Sequence, residues 1–243
     1  MRLTASAIVL ATHAHGEHGA VVRLLTAEHG LLVAYVRGAR GRRLRPVLIA
    51  GNRVVARFAA RTEQQMPHAE VELTHSLAPM LAEPLAAAAI DWTTAVTATA
   101  LPEGQAHPRI HLALDALLSA LEAAPSASGW GGAVVRYELL LLAELGFGLD
   151  LGSCAVTGAT DDLIAVSPRS GRAISASQAA PYSGKLLPLP SFARVGGEAT
   201  LGDILDGLEL TGHFLLRDVI TDRALPVADA RARLVERLRR ALG

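Results

Sequence analysis

Cysteine and lysine are almost missing: Cys154 and Lys185 are the single examples among 243 residues. A lone thiol forms no internal disulfide, so nothing in the chain points to a cross-linked secreted framework. Aromatic side chains reach only 4%. The longest uncharged runs, such as Trp92 to Pro102, fall short of the roughly 20 apolar residues a membrane-spanning helix needs. The opening MRLTASAIVLATHAHGEHG continues past its short apolar run in strand-like alternation, unlike a signal peptide, so a cytoplasmic protein without membrane contact is expected. Sites for chemistry are equally sparse. There is no Walker-type lysine loop, no GxSxG element and no defensible pair of acids. Gly146, Gly148 and Gly152 follow a helix in GxGxxxG spacing, which is the wrong context for a dinucleotide loop. Neither an enzyme nor a cofactor is expected.

Arginine is what the chain has instead, 22 residues against one lysine, and its placement is uneven. The net charge is zero, yet residues 1–62 carry ten arginines against Glu17 and Glu28, while residues 63–162 carry thirteen carboxylates against Arg109 and Arg136. A basic front end steers anionic ligands whatever the net charge. Its densest part is VRGARGRRLRP, Val36 to Pro46, where Arg37, Arg40, Arg42, Arg43 and Arg45 sit among Gly38 and Gly41 with no carboxylate between them. Arginine forks suit phosphate, and glycine lets the backbone turn tightly enough to aim several forks at one ligand. A solvated basic turn is the competing account of such a run. Arg53 and Arg57 follow on the next strand, and Tyr35 precedes the loop, so the candidate polyanion contacts are Tyr35, Arg37, Arg40, Arg42, Arg43, Arg45, Arg53 and Arg57.

Alternating apolar stretches predict strands at Ser6 to Ala11, Ala20 to Thr26, Leu31 to Arg37, Val47 to Ala50, Arg53 to Ala60 and Ala69 to Leu73. Such short strands within about 75 residues suggest a small closed barrel of the OB type, which binds oligonucleotides across one face and its loops. The fold class expected is α+β: an OB-fold β-barrel over residues 1–78, then a mainly α-helical domain over residues 79–243. Tyr35 and Phe58 are the aromatics of the barrel, and Phe58 suits its core. His13, His15 and His18 in HAHGEH invite a metal reading, but a tight turn of alternating residues points its ligands apart.

The run AIVLATHAHGEHGAVVRLLTAEHGLLVAYVRGAR resembles the N-terminal segment of the bacterial recombination mediator family RecO. It has the same order of apolar strand, turn with Gly16 and Glu17, strand ending in LLT, then EHG, another strand and RGAR. The resemblance continues more weakly through the C-terminal half. It implies an OB-fold that contacts DNA, and it assigns HAHGEH to the loop between the first two strands, consistent with the absence of a metal there.

The remainder reads as helices: from Leu85 between Pro84 and Pro102, from Pro108 to Ala123, and from Val134 to Leu145 after a break at APSASGWGG. LLLLAEL is expected at the centre of the second core. His107 and His111, four apart, lack a third ligand nearby. Further on, Thr200 with Asp203 predicts an N-cap for a helix Leu201 to Leu208; a second helix runs from Leu210 to Asp222, and Pro226 opens a terminal helix to Leu242. Between these blocks, residues 150–185 are irregular. In the RecO resemblance this insert corresponds to a zinc ribbon with two CxxC pairs, which here fall on Cys154, Thr157, Ser175 and Gln178. Three ligands are absent, so a degenerate, zinc-free ribbon-like insert is expected, held by Leu163, Ile164, Val166 and Ile174.

The resemblance implies a non-enzymatic mediator. It would bind single-stranded and double-stranded DNA, anneal strands, and help a RecR-like mediator load recombinase on DNA coated by single-strand-binding protein, whose C-terminal tail is an expected partner. An OB-fold RNA or tRNA module and a structural adaptor are the alternatives.

Overall fold

Short runs of Val, Leu and Ala alternating with polar residues become the first half of the chain, seen here in a computed structural model that describes residues 2–62, 65–220 and 225–242. The chain divides into two compact units, Met1–Glu122 and Ala123–Gly243. Five strands open the first unit: β1 (Arg2–His15), β2 (Gly19–Thr26), β3 (Gly30–Val36), β4 (Arg53–Ala59) and β5 (His68–His75). They close in the order β1-β2-β3-β5-β4, the barrel of an OB-fold. β1 makes closure feasible by serving two partners. Its first half pairs with β4 from Arg2 to Ile8, and its second half pairs with β2 from Ala7 to His15. A register shift between Val9 and Ala11 bends the strand where it changes partner. There the four consecutive residues Ala7, Ile8, Val9 and Leu10 are all buried. Ala7 and Val9 belong to the barrel core with Val22, Leu24, Val54 and Phe58.

Val47 to Ala50, expected as a strand, instead forms turns. The buried Asn52 explains it. Its Nδ2 donates to the carbonyls of Pro46 (2.9 Å) and Val47 (3.0 Å), drawing away acceptors a strand would use, and its Oδ1 accepts from Leu77 N–H at 2.8 Å. Gly51 beside it has φ +87°, and a Cβ there would lie 2.8 Å from Leu77. Leu77 leads through a 3-10 turn, Ala78–Ala82, into α1 (Pro84–Ala100), which packs on β1, and then α2 (Pro108–Ala123). The buried threonines of α1 return their hydroxyl protons to its own carbonyls, Thr93 to Ala89 and Thr94 to Ile90, both at 2.7 Å.

In the second unit α3 begins at Ala127, before the expected Val134, and runs to Glu144. The glycines of SGWGG do not break it, because tertiary contact uses the space they leave. A Cβ on Gly131 would sit 2.7 Å from Ile204, and Trp130 is buried. Within LLLLAEL, Leu141 and Leu142 are buried while Leu139, Leu140 and Leu145 are half-buried. The insert folds as a three-stranded sheet, β7-β6-β8, from β6 (Leu163–Val166), β7 (Ala173–Ser175) and β8 (Leu187–Pro188). Leu163, Val166 and Ile174 are buried there, but Ile164 is exposed because it sits at the irregularity between Leu163 and Ala165. One turn of helix, α4 (Ala176–Ala179), follows β7, and α5 (Ser191–Val195) follows β8.

Thr200 caps α6 (Leu201–Phe214) in a reciprocal box with Asp203. The two helices expected from Leu201 to Leu208 and from Leu210 to Asp222 are one helix, continued by a π-helical turn, Leu215–Val219; the expected end at Asp222 lies outside the described residues. Glu209 offers no break, and Thr211 is held inside the helix by bonds to Gly207 and Glu138. The terminal helix α7 (Leu225–Leu242) opens as expected. On α7, Arg231 is buried with Glu138 of α3, donating to both carboxylate oxygens and, at 2.6 Å, to the Leu208 carbonyl.

Candidate nucleic-acid interface

Between β3 and β4 the chain is neither strand nor free coil. Successive turns, Gly41 N–H to Gly38 O (2.9 Å), Arg45 N–H to Gly41 O (3.0 Å) and Leu48 N–H to Leu44 O (3.1 Å), wind the loop upon itself. Its apolar residues Ala39, Leu44, Val47 and Leu48 pack against the barrel core, and Asn52 clamps its far end. All five arginines, Arg37, Arg40, Arg42, Arg43 and Arg45, are left exposed. Alternating pegs and arginines thus make a fixed cationic surface.

This loop is also joined to the turn between β1 and β2. Arg40 donates from its backbone to His18 O at 3.4 Å and from Nη1 to Glu17 O at 3.1 Å. Two loops far apart in sequence therefore share one end of the barrel. A groove of about 580 Å³ beneath the loop is lined by Arg37, Arg43 and Arg57 on its basic side and by Glu70 and Glu72 on β5. Arg57 lies 3.8 Å from Glu72 and stays well exposed.

Arg53, expected beside these, has a different task. It is half-buried, bonds the Asp115 carboxylate and carbonyl and the Ser119 hydroxyl of α2, and lies 3.5 Å from Glu122. With its donors so engaged it ties β4 to α2, and it is removed from the phosphate set. His111, held below the ordinary imidazole range chiefly by burial and pushed the same way by Arg53 against the pull of Asp115, belongs to the same structural cluster.

Tyr35 is half-buried on the outer face of β3. Its ring meets His15 at 5.9 Å and His68 at 5.5 Å between centroids, each edge to face. It crosses Gly19 so closely that a Cβ there would fall 2.1 Å from the phenol oxygen. The sequence flagged Tyr35 but not this setting, since His68 reaches β3 only through the parallel closure with β5. Asn52 was likewise legible only as a turn residue.

The ribbon positions come partly together. Cys154 is buried, and its sulfur accepts from Ser175 N–H (3.3 Å) and the Ser175 hydroxyl (3.4 Å). Those bonds, the Ser175 hydroxyl first and then the Thr157 hydroxyl, lower its pKa to about 6 against the opposing effect of burial. Gln178 lies in α4, half-buried. One thiol, two hydroxyls and an amide are a poor donor set for zinc, which takes thiolate, imidazole or carboxylate. Among the described residues no three His, Cys, Asp or Glu are grouped to hold a metal, and no helix is long and apolar enough to cross a membrane.

Comparison with known proteins agrees along the whole chain. The family described as Recombination protein O N terminal matches residues 1–77, and Recombination protein O C terminal matches residues 82–239. The DNA repair protein RecO of Caulobacter sp. (strain K31) is 47% identical over 234 residues, covering 96% of this chain and 95% of that protein. That of Phenylobacterium zucineum is 44% identical over 240 residues, with 98% of each covered. That of Rhodospirillum centenum is 44% identical over 244 residues, covering 99% and 96%. With both halves matched in order and the barrel, basic loop and helical body in place, the chain belongs to the RecO family of DNA repair proteins.

Proposed function

We propose that this DNA repair protein acts without catalysing a reaction, as a recombination mediator that holds DNA by its phosphates on the N-terminal barrel. Its DNA-bound work is to bind single-stranded and double-stranded DNA, anneal complementary strands, and assist a RecR-like partner in loading recombinase onto DNA coated by single-strand-binding protein, whose C-terminal tail it meets. The observation that carries the binding step is the set of five exposed arginines on a loop pegged into the barrel core. Arg37, Arg40, Arg42, Arg43, Arg45 and Arg57 are the proposed phosphate contacts. A loop backbone already wound and pegged before binding loses little conformational freedom when it meets DNA. It contacts backbone, so it positions the nucleic acid without reading its sequence. Screening two strands at one cationic surface lowers their mutual repulsion, which is what annealing requires. The annealing and loading steps rest on family membership.

Fluorescence anisotropy with labelled single-stranded DNA, duplex DNA and RNA, titrated against salt, tests the binding step. Affinity should fall steeply with salt for both DNA forms and vary little with base composition. Absence of binding at low salt, or binding indifferent to salt, would overturn it, and a marked preference for RNA would favour an RNA-binding module instead.

A further inference from the structure

Pairing across the barrel brings distant residues into one row. His13 of β1 is opposite Val21 of β2, Val21 is opposite Tyr35 of β3, and Tyr35 is opposite His68 of β5. All four face outward, with both histidines exposed and Val21 and Tyr35 half-buried. His15, two residues beyond His13 and so on the same face, is opposite Gly19. The missing side chain of Gly19 is the space into which Tyr35 fits, between His15 and His68. Three strand spacings separate His13 from His68, roughly 14 Å. The result is a continuous ring-bearing strip across the outer face of strands two and three and their neighbours.

Cations flank this strip on both sides. On one side, Arg37 emerges directly after β3 and begins the arginine loop. On the other, His68 shares a groove with Arg2, Arg61 and the exposed Met66. None of His13, His15, His68 and Gly19 has a place in the barrel core. Imidazole and phenol rings give a π-face to any base, whereas paired bases in a duplex keep their faces stacked on one another.

We propose that His15, Tyr35 and His68 form a base-stacking site for unpaired nucleotides of single-stranded DNA, with Arg37 on one side and Arg61 and Arg2 on the other holding the flanking phosphates. This rests on the proposed DNA-binding function and adds a division of labour. The arginine loop binds any DNA, and the ring strip distinguishes a single strand from a duplex. Tyr35 is the central platform because its position is fixed by Gly19 beneath and an imidazole at each side.

The test compares an oligothymidylate with an abasic phosphodiester chain of the same length and charge. The wild-type protein should bind the thymidylate tighter by on the order of tenfold or more, the usual worth of a stacked base. His68→Ala and Tyr35→Ala should each bring that ratio towards one, and Tyr35→Phe should keep it. His68 is exposed, so its replacement reports on binding even where Tyr35→Ala impairs folding. Equal wild-type affinity for the two chains, both salt-sensitive, would overturn the stacking site and leave the phosphate-binding function standing. An undiminished ratio in both alanine variants would overturn it too. Failure to bind either chain would remove the function and the site together.

Discussion

Asn52 carries more of the arginine loop than its size suggests. Three backbone groups, two carbonyls of the arginine loop and the Leu77 N–H, depend on one side chain with no exposed area. Asn52→Ala leaves the buried Leu77 N–H and two part-buried carbonyls unmatched, and should cost about 2 kcal/mol, within the range for a stranded buried polar group. Chemical denaturation would show it as a fall in midpoint, accompanied by weaker DNA binding as the loop loosens; an unchanged midpoint would remove Asn52 from that role. Cys154 shows a second kind of dependence. Its pKa near 6 lies below that of an unfolded thiol, so the thiolate adds stability that is fully present only at alkaline pH, diminishes as pH falls, and is gone below about 6. Ser175→Ala should raise this pKa, seen as a shift in the ultraviolet thiolate titration, and flatten the rise of stability above neutral pH. Neither role could be read from sequence. Asn-Gly neighbours look like any turn, and a ribbon stripped of three ligands does not announce that two hydroxyls have turned towards the remaining sulfur.

At the scale of elements, a signal whose partners lie within one turn was dependable, whereas propensity and alternation gave way where tertiary contact overrode them. Thr200 and Asp203 predicted their cap because both partners of the box lie within one turn. SGWGG looked like a helix break on propensity alone, yet α3 passes through it, since Gly131 accommodates Ile204 and Trp130 is buried. The arginine loop was legible as basic and glycine-containing, whereas its order was not, because the pegs Leu44, Val47 and Leu48 acquire meaning only against the barrel core. Another tertiary device is the buried Arg231–Glu138 pair that fastens α7 to α3. Arg231→Met should destabilise the protein by about 3–5 kcal/mol by removing the guanidinium that faces the buried Glu138 carboxylate. Replacing Glu138 by Leu as well should recover much of that loss, since both charges then leave together. Thermal melts of the two variants check this; a single variant as stable as wild type, or a double variant worse than the single one, would contradict it.

For the molecule as a whole, the uneven placement of charge was visible before any fold. Ten arginines in the first 62 residues make the barrel the basic end of the chain, which is where polyanion binding is proposed. The strand count identified the barrel itself, but not the β3–β5 pairing that closes it and sets His68 beside Tyr35. That contact joins segments with no shared local pattern, and it converts a basic loop beside a scarce aromatic into a surface with two parts. Structure also took Arg53 away from that surface, because a charge count cannot tell a free guanidinium from one already held by Asp115. The central claim is that exposed arginines of the pegged loop neutralise DNA phosphates. It is tested most directly by the salt dependence of duplex binding for wild type and the combined Arg40→Ala, Arg42→Ala, Arg43→Ala variant. Each lost phosphate contact lowers the slope of log affinity against log salt by about 0.9, so the triple variant should lose about 2 to 3 units of slope. Its melting temperature should stay close to that of wild type, since all three side chains are exposed. An unchanged slope, or unaltered affinity with a large fall in melting temperature, would contradict the assignment of this loop to DNA.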